Sequence, residues 1–126
     1  MSKKLSPQQR IFNKVASHLL RQNKKSTIPG EPQYCAYRGK DGLRCALGTL
    51  ITNQNYSQGL DGAYGGGVGY PEVYDSIIKS YPFCEGQVQL LHDLQSIHDM
   101  QKPSRWRQKL SVLAKKYNLK MVPNAN

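Results

Sequence analysis

The chain has 126 residues, a formal net charge of +10 and 38% apolar side chains. That length fits one domain with one hydrophobic core and needs no disulfide staples. No run of about 18 apolar residues is present, which excludes a membrane-spanning helix. Met1-Ser-Lys-Lys-Leu-Ser-Pro7 lacks an apolar signal region, which predicts a protein that is not secreted.

The charge is segregated. Residues 1–25 carry seven Lys/Arg and no acid, and residues 101–126 carry the same. Residues 26–100 carry four basic and eight acidic side chains. Two basic ends around a slightly acidic middle point to a polyanionic partner: nucleic acid, a nucleotide or an acidic protein surface. A solvated surface that keeps a small domain soluble is the plainer alternative.

Residues 6–22 read as a basic N-terminal helix. Ser6 suits the cap, Pro7 the first turn, and Gln9 stands at capping-box spacing. Ile11, Phe12, Val15, Ala16, Leu19 and Leu20 make its apolar face, with Arg10, Lys14, His18, Arg21 and Lys25 on an adjacent stripe. Lys24–Gln33 holds Pro29, Gly30 and Pro32 and reads as a loop.

A strand–turn element is expected at 34–45: a strand from Tyr34 to Arg38, then the turn Gly39-Lys-Asp-Gly42. Leu43–Cys45 either returns as a second strand or leads into a short helix at 45–52. Residues 53–69 are polar and glycine-rich and read as one long loop. A helix follows from Tyr70-Pro71 to about 80 and stops at Tyr81-Pro82.

A central helix at 86–100 carries Val88, Leu90, Leu91, Leu94 and Ile97, apolar on more than one side. A basic C-terminal helix at 103–117 repeats Trp106, Leu110, Leu113, Ala114 and Tyr117. Arg105, Lys109 and Lys116 lie on another side of it, and residues 120–126 read as a frayed tail. The expected fold is α-dominant α+β. About five helices surround a single core, and the short strand–turn element is pinned against the first, fourth and fifth.

Several chemistries are weighed on spacing. Cys35, Cys45 and Cys84 are an odd set without a C-x-x-C pair, and read as reduced thiols. A structural zinc site needs a close ligand pair, which they lack even with His92 and His98 added. His92-Asp93 and His98-Asp99 resemble the adjacent pairs of HD-type phosphohydrolases. Six residues on one helix, however, turn the two pairs about 120° apart. His98 near the helix end then interacts with the helix dipole or packs on Trp106.

Cys45 follows Arg44 at a possible helix start, which makes it the best thiolate candidate, though no paired histidine is evident. Gly65–Gly69 precedes a helix as phosphate loops do, yet matches neither the P-loop nor the dinucleotide fingerprint. Polyanion binding has the most support. Both terminal helices carry a basic stripe, and Tyr34, Tyr37, Tyr56 and Tyr64 offer stacking surfaces.

The segment Cys35-x-Tyr37-Arg38-Gly39-x-x-Gly42-Leu43-x-Cys45-Ala46-x-Gly48-x-Leu50-Ile51 resembles a family of small tailed-bacteriophage and prophage proteins without an assigned activity. Leu91-x-Asp93-Leu94-Gln95-x-Ile97-His98-Asp99, then Trp106, Leu110, Ala114 and Tyr117, is similar to the second half of that pattern. The glycine-rich stretch 59–69 departs from it. The resemblance implies a phage accessory protein acting in the host bacterial cytoplasm, where such proteins often manipulate antiviral defence. It carries no site residue.

The leading expectation is a non-enzymatic protein that binds an anionic partner through Arg10, Lys14, Arg21, Arg38, Lys40, Arg44, Arg105 and Lys109 and inhibits a host defence complex. The partner is nucleic acid, another polyanion or a host protein complex; no membrane, metal or cofactor is expected. One alternative is a protein–protein inhibitor with a tyrosine-rich surface. Another is a small metal- or thiol-dependent hydrolase using His98, Asp99 or Cys45.

Overall fold

Helix α1 (Pro7–Gln22) begins where Ser6 caps it, the Ser6 Oγ accepting the Gln9 N–H at 3.1 Å. This computed structural model describes residues 5–62 and 67–123. The second half of the expected capping box does not form. The Gln9 amide instead grips the far end of the chain: its Nε2 donates to the Lys120 carbonyl at 2.9 Å and its Oε1 accepts the Lys120 N–H at 2.8 Å. Val122 is buried beyond it. The expected frayed tail is therefore docked through Lys120–Val122, while residues 124–126 lie outside the described residues.

α1 ends on Asn23, whose φ of +52° reverses the chain as its N–H returns to the Leu19 carbonyl at 2.8 Å. The strand element lies earlier than expected. Strand β1 (Thr27–Ile28) pairs antiparallel with β2 (Glu31–Cys35) around Pro29-Gly30, with Gly30 at φ +80°. Pro29 and Gly30, read as loop breakers, are the turn itself. Pro32 is tolerated because the sheet has only two strands.

The expected turn at Gly39–Gly42 is present as a 3₁₀ turn over Lys40–Gly42. Its two arms are joined by only two bonds, Gly39 N–H to Leu43 O at 2.7 Å and Cys45 N–H to Ala36 O at 3.3 Å. Of the strand expected from Tyr34 to Arg38 only Tyr34 and Cys35 form strand, as the end of β2. No strand pairs across the turn, and the helix expected at 45–52 shrinks to a 3₁₀ turn over Leu47–Leu50.

Within 53–69, read as one loop, are a 3₁₀ turn (Asn53–Asn55), helix α2 (Gln58–Asp61) and a 3₁₀ turn (Gly67–Gly69). Tyr64, Gly65 and Gly66 lie outside the described residues. Helices α3 (Pro71–Ser80), α4 (Val88–Met100) and α5 (Pro103–Lys116) follow where expected, α4 starting two residues late. The fold is α-dominant α+β.

Helices α1, α4 and α5 pack on one another around one core that includes Phe12, Leu19, Leu94 and Trp106. α4 buries Leu90, Leu91, Leu94, Gln95, Ile97 and His98, more than one side of the helix, as its sequence suggests. α5 is tied to α4 by Asp93, which accepts from the Tyr117 hydroxyl at 2.7 Å, Gln89 at 3.0 Å and Lys116 at 3.4 Å.

Gly48 sits face to face with Tyr37. A Cβ there would lie 2.9 Å from the Tyr37 Cα and closer still to its carbonyl oxygen. Backbone cannot give way as a side chain can, so Gly48→Ala should destabilise the fold by about 1–3 kcal/mol. Urea unfolding checks this; an unchanged midpoint would show that the segment can shift.

Asp93 carries a pH dependence. Burial alone would raise its carboxyl, but the bonds from Tyr117, Gln89 and Lys116 outweigh burial and hold it below the ordinary value of 3.8. A depressed carboxylate contributes stability above its unfolded value, and that contribution is lost as pH falls through the lower folded value. Asp93→Asn should flatten the acid limb of a stability–pH profile below about pH 4. An acid limb identical to wild type would refute this.

Candidate anion-binding surface

The eight basic residues singled out from the sequence do not form one surface. Arg10, Lys14 and Arg21 come together. They lie along one side of α1 and line an open groove of about 450 Å³ with Asn13, Ser17, Tyr81 and Phe83. None of the described residues lining it is acidic. The aromatic wall comes from the chain reversal after α3, where Tyr81 caps the helix end and the following 3₁₀ turn (Pro82–Cys84) carries Phe83. Their centroids are 5.6 Å apart and tilted by 45°.

Each ring holds one cation. The Arg10 guanidinium carbon is 4.3 Å from the Phe83 centroid, and the Lys14 ammonium is 4.7 Å from that of Tyr81. Such contacts contribute about 0.5–1 kcal/mol each at exposed sites. They also hold two long side chains in place before any ligand arrives. Sequence reading took Tyr81 only for part of a helix stop and gave Phe83 no role, because no period links 10 and 14 to 81 and 83.

Arg38 and Arg44 have a different role. The Arg38 guanidinium donates to the carbonyls of Tyr37 (3.2 Å), Gly48 (3.0 Å) and Ile51 (2.6 Å) and to Asn53 Oδ1 (3.1 Å). It also packs 4.6 Å from the Tyr56 ring. Burial first, then the charge of nearby Arg44, lowers its pKa. Arg44 donates to the same Asn53 oxygen at 3.3 Å. Arg38 is therefore a clamp on loop carbonyls, and Lys40 stands exposed on the neighbouring turn. Arg105 is exposed on α5, and Lys109 lines a separate groove between α4 and α5.

His18 leaves the basic stripe. It is half-buried beside Gln22 and Arg44, its Nε2 has no partner among the described residues, and burial first of all lowers its pKa. Lys25 reaches the Asp99 carbonyl at 2.9 Å. The expected tyrosine surface is not built as read. Tyr37 is wholly buried, and Tyr56 gives its hydroxyl to Asp61 while burial and that bond push its pKa to about 12. Tyr34 is half-buried, and Tyr64 is not described.

The residues suited to hydrolysis are otherwise engaged. His98 is buried and stacks on Trp106 with centroids 5.6 Å apart. Its Nε2 accepts the Ser26 backbone N–H at 2.9 Å, so its proton sits on Nδ1 and goes to Asp99 Oδ1 at 2.8 Å. That leaves no free nitrogen for base catalysis.

The expectation of a lowered Cys45 pKa is overturned. Cys45 is fully buried, and burial, then a bond to Cys35, raises its thiol well above the ordinary value. Cys84 is pushed to about 12 by burial. Among the described residues no three His, Cys, Asp or Glu gather to hold a metal. The Gly67 N–H, part of the suggested phosphate loop, points at the Tyr37 hydroxyl at 3.2 Å.

No helix among the described residues is long and apolar enough to cross a membrane. No protein-family model, curated protein or solved structure matches the chain.

Proposed function

We propose that this is a non-enzymatic binding protein that takes single-stranded nucleic acid in the α1 groove. The observation that carries it is the pairing of Arg10 with Phe83 and Lys14 with Tyr81, with Arg21 beside them and no carboxylate among the described residues of the wall. Phosphates need placed positive charge, and unpaired bases stack on guanidinium planes as well as on rings; this groove sets the Arg10 guanidinium plane and two further cations beside Tyr81 and Phe83. Duplex offers its phosphates but keeps its base faces stacked inside. The cations are already ordered on the rings, which lowers the rotamer entropy lost on binding.

Anisotropy of labelled single-stranded and duplex DNA and RNA, at two salt concentrations, tests this. Single strands should bind more tightly than duplex. Affinity should fall with salt, with a slope of about −0.7 per phosphate engaged. The double change Arg10→Ala/Lys14→Ala should reduce that slope. Phe83→Leu should cost about 1–3 kcal/mol of binding with the slope preserved. Lys109→Ala should leave both unaffected. Absence of binding at low salt, or binding indifferent to the Arg10 and Lys14 changes, would sink the reading.

The biological use we propose rests on the resemblance of Cys35–Ile51 to phage proteins. It is interference, in the host bacterial cytoplasm, with a defence complex that works on nucleic acid. Plating a phage lacking this protein on a defence-bearing host should give low titres that plasmid-borne wild type restores and the Arg10→Ala/Lys14→Ala variant does not. Equal rescue by both would separate the biology from the groove.

A further inference from the structure

The face between α4 and α5 is a second site with different chemistry. Among the described residues, the two most exposed large apolar side chains are Met100 at 77% and Val112 at 60%. Both line one groove of about 380 Å³, Met100 from α4 and Val112 from α5. Ile97 and Leu113, themselves buried, continue the apolar lining inward. Nothing local calls for a β-branched residue on an exposed helix face, where Lys, Glu or Gln favour the helix more. Two such exposures lie together in one concave place, with buried Ile97 and Leu113 beneath them, an arrangement that a partner's apolar side chains could fill.

The charge around the groove selects its occupant. Lys109 and Lys116 stand along the α5 side. The one carboxylate among the described lining residues, Asp93, is already bonded by Tyr117, Gln89 and Lys116. The net field offered to a partner is therefore positive. The apolar part is wholly aliphatic and thioether, with no aromatic ring on which a base could stack. That distinguishes it from the α1 groove, whose rings suit nucleic acid.

An aliphatic trough between two helices, edged by lysines, fits an amphipathic helix. Leucine-type anchors at i, i+4 and i+7 would enter the trough, and Asp or Glu beside them would meet Lys109, the lining cation that Asp93 does not engage. Met100 adds an adaptable wall. We infer that the α4–α5 groove docks an acidic amphipathic helix of a partner protein. The inference does not rest on the α1 groove, and either can fail alone.

The test uses the full chain and a synthetic acidic peptide about four helical turns long, with leucines at that spacing and glutamates flanking them. Titration followed by peptide fluorescence should give micromolar binding that weakens at high salt. Val112→Asp should weaken it by about tenfold or more, while circular dichroism shows the helices retained. Lys109→Glu should weaken it similarly, and should gain binding for a peptide carrying lysines in place of the glutamates. Lys109→Glu rather than Arg10→Ala must carry the effect, which keeps this result separate from nucleic-acid binding.

Three results would overturn the proposal. One is no binding at millimolar peptide. Another is binding that Val112→Asp leaves intact. The third is sedimentation showing a dimer of this chain that Val112→Asp dissolves, which would make a second copy the occupant.

Discussion

Between Ala36 and Ile51 the chain crosses the interior with only two 3₁₀ turns, yet Ala36, Tyr37, Cys45, Ala46, Leu47, Leu50 and Ile51 are buried. A buried backbone group left without a partner costs about 1–3 kcal/mol. Strands and helices would satisfy these groups internally; here scattered backbone bonds, such as Ala36 N–H to Ser26 O and Ile51 N–H to Gly48 O, do part of it and side chains add to them. Gln22 of α1 pairs with both backbone groups of Arg44, accepting its N–H and donating to its carbonyl at 2.9 Å each. Gln95 of α4 accepts the Leu47 N–H at 2.9 Å. Asp61 takes the Tyr37 N–H, and Arg38 spans three carbonyls. His98 does the same for the hairpin at Ser26. The packing of α1 against α4 is thus coupled to the loops through these bonds, and the grooves on the helices inherit their shape from it.

That constraint also decides which polar residues remain free. Of the eight acidic residues, Asp61, Asp93 and Asp99 are held by internal donors. Arg38, which looked like a surface cation, is drawn inward because the carbonyls it serves have no strand to pair with. What remains outward on α1 and α5 is mainly positive. The two basic ends of the chain meet, since α1 packs on α5, but their side chains line separate grooves. Arg10, Lys14 and Arg21 on one side and Lys109 and Lys116 on the other thus belong to two grooves that differ in their apolar part.

The helices were legible because their signals are local. Ser6-Pro7, Tyr70-Pro71 and Lys102-Pro103 fix starts, and the apolar period of Trp106, Leu110, Leu113 and Ala114 survives as buried residues. The hairpin was misplaced because Pro29, Gly30 and Pro32 carry the same local signal in a loop as in a tight turn. The docked tail was invisible for a different reason. Gln9 and Lys120 lie 111 residues apart, and an amide side chain has no period to betray its partner. The α1 stripe put Arg10, Lys14 and Arg21 on one side of the helix, where they line one groove, but their aromatic neighbours come from a turn whose sequence reads only as a stop.

Charge patterning finds cations and cannot say whether they are available. Availability depends on what else needs them. Arg38 is taken by carbonyls, whereas Arg10 and Lys14 are held by rings, which orient a cation without neutralising it. That distinction separates an arginine committed to the fold from one whose charge is left unneutralised. A carbonyl cluster occupies the N–H donors that a phosphate would use. A ring face leaves them directed outward. By the same reasoning Lys109 remains available because the nearby carboxylate, Asp93, is already served by Tyr117, Gln89 and Lys116. The neighbours of each cation, more than the number of cations, set which anion it can meet.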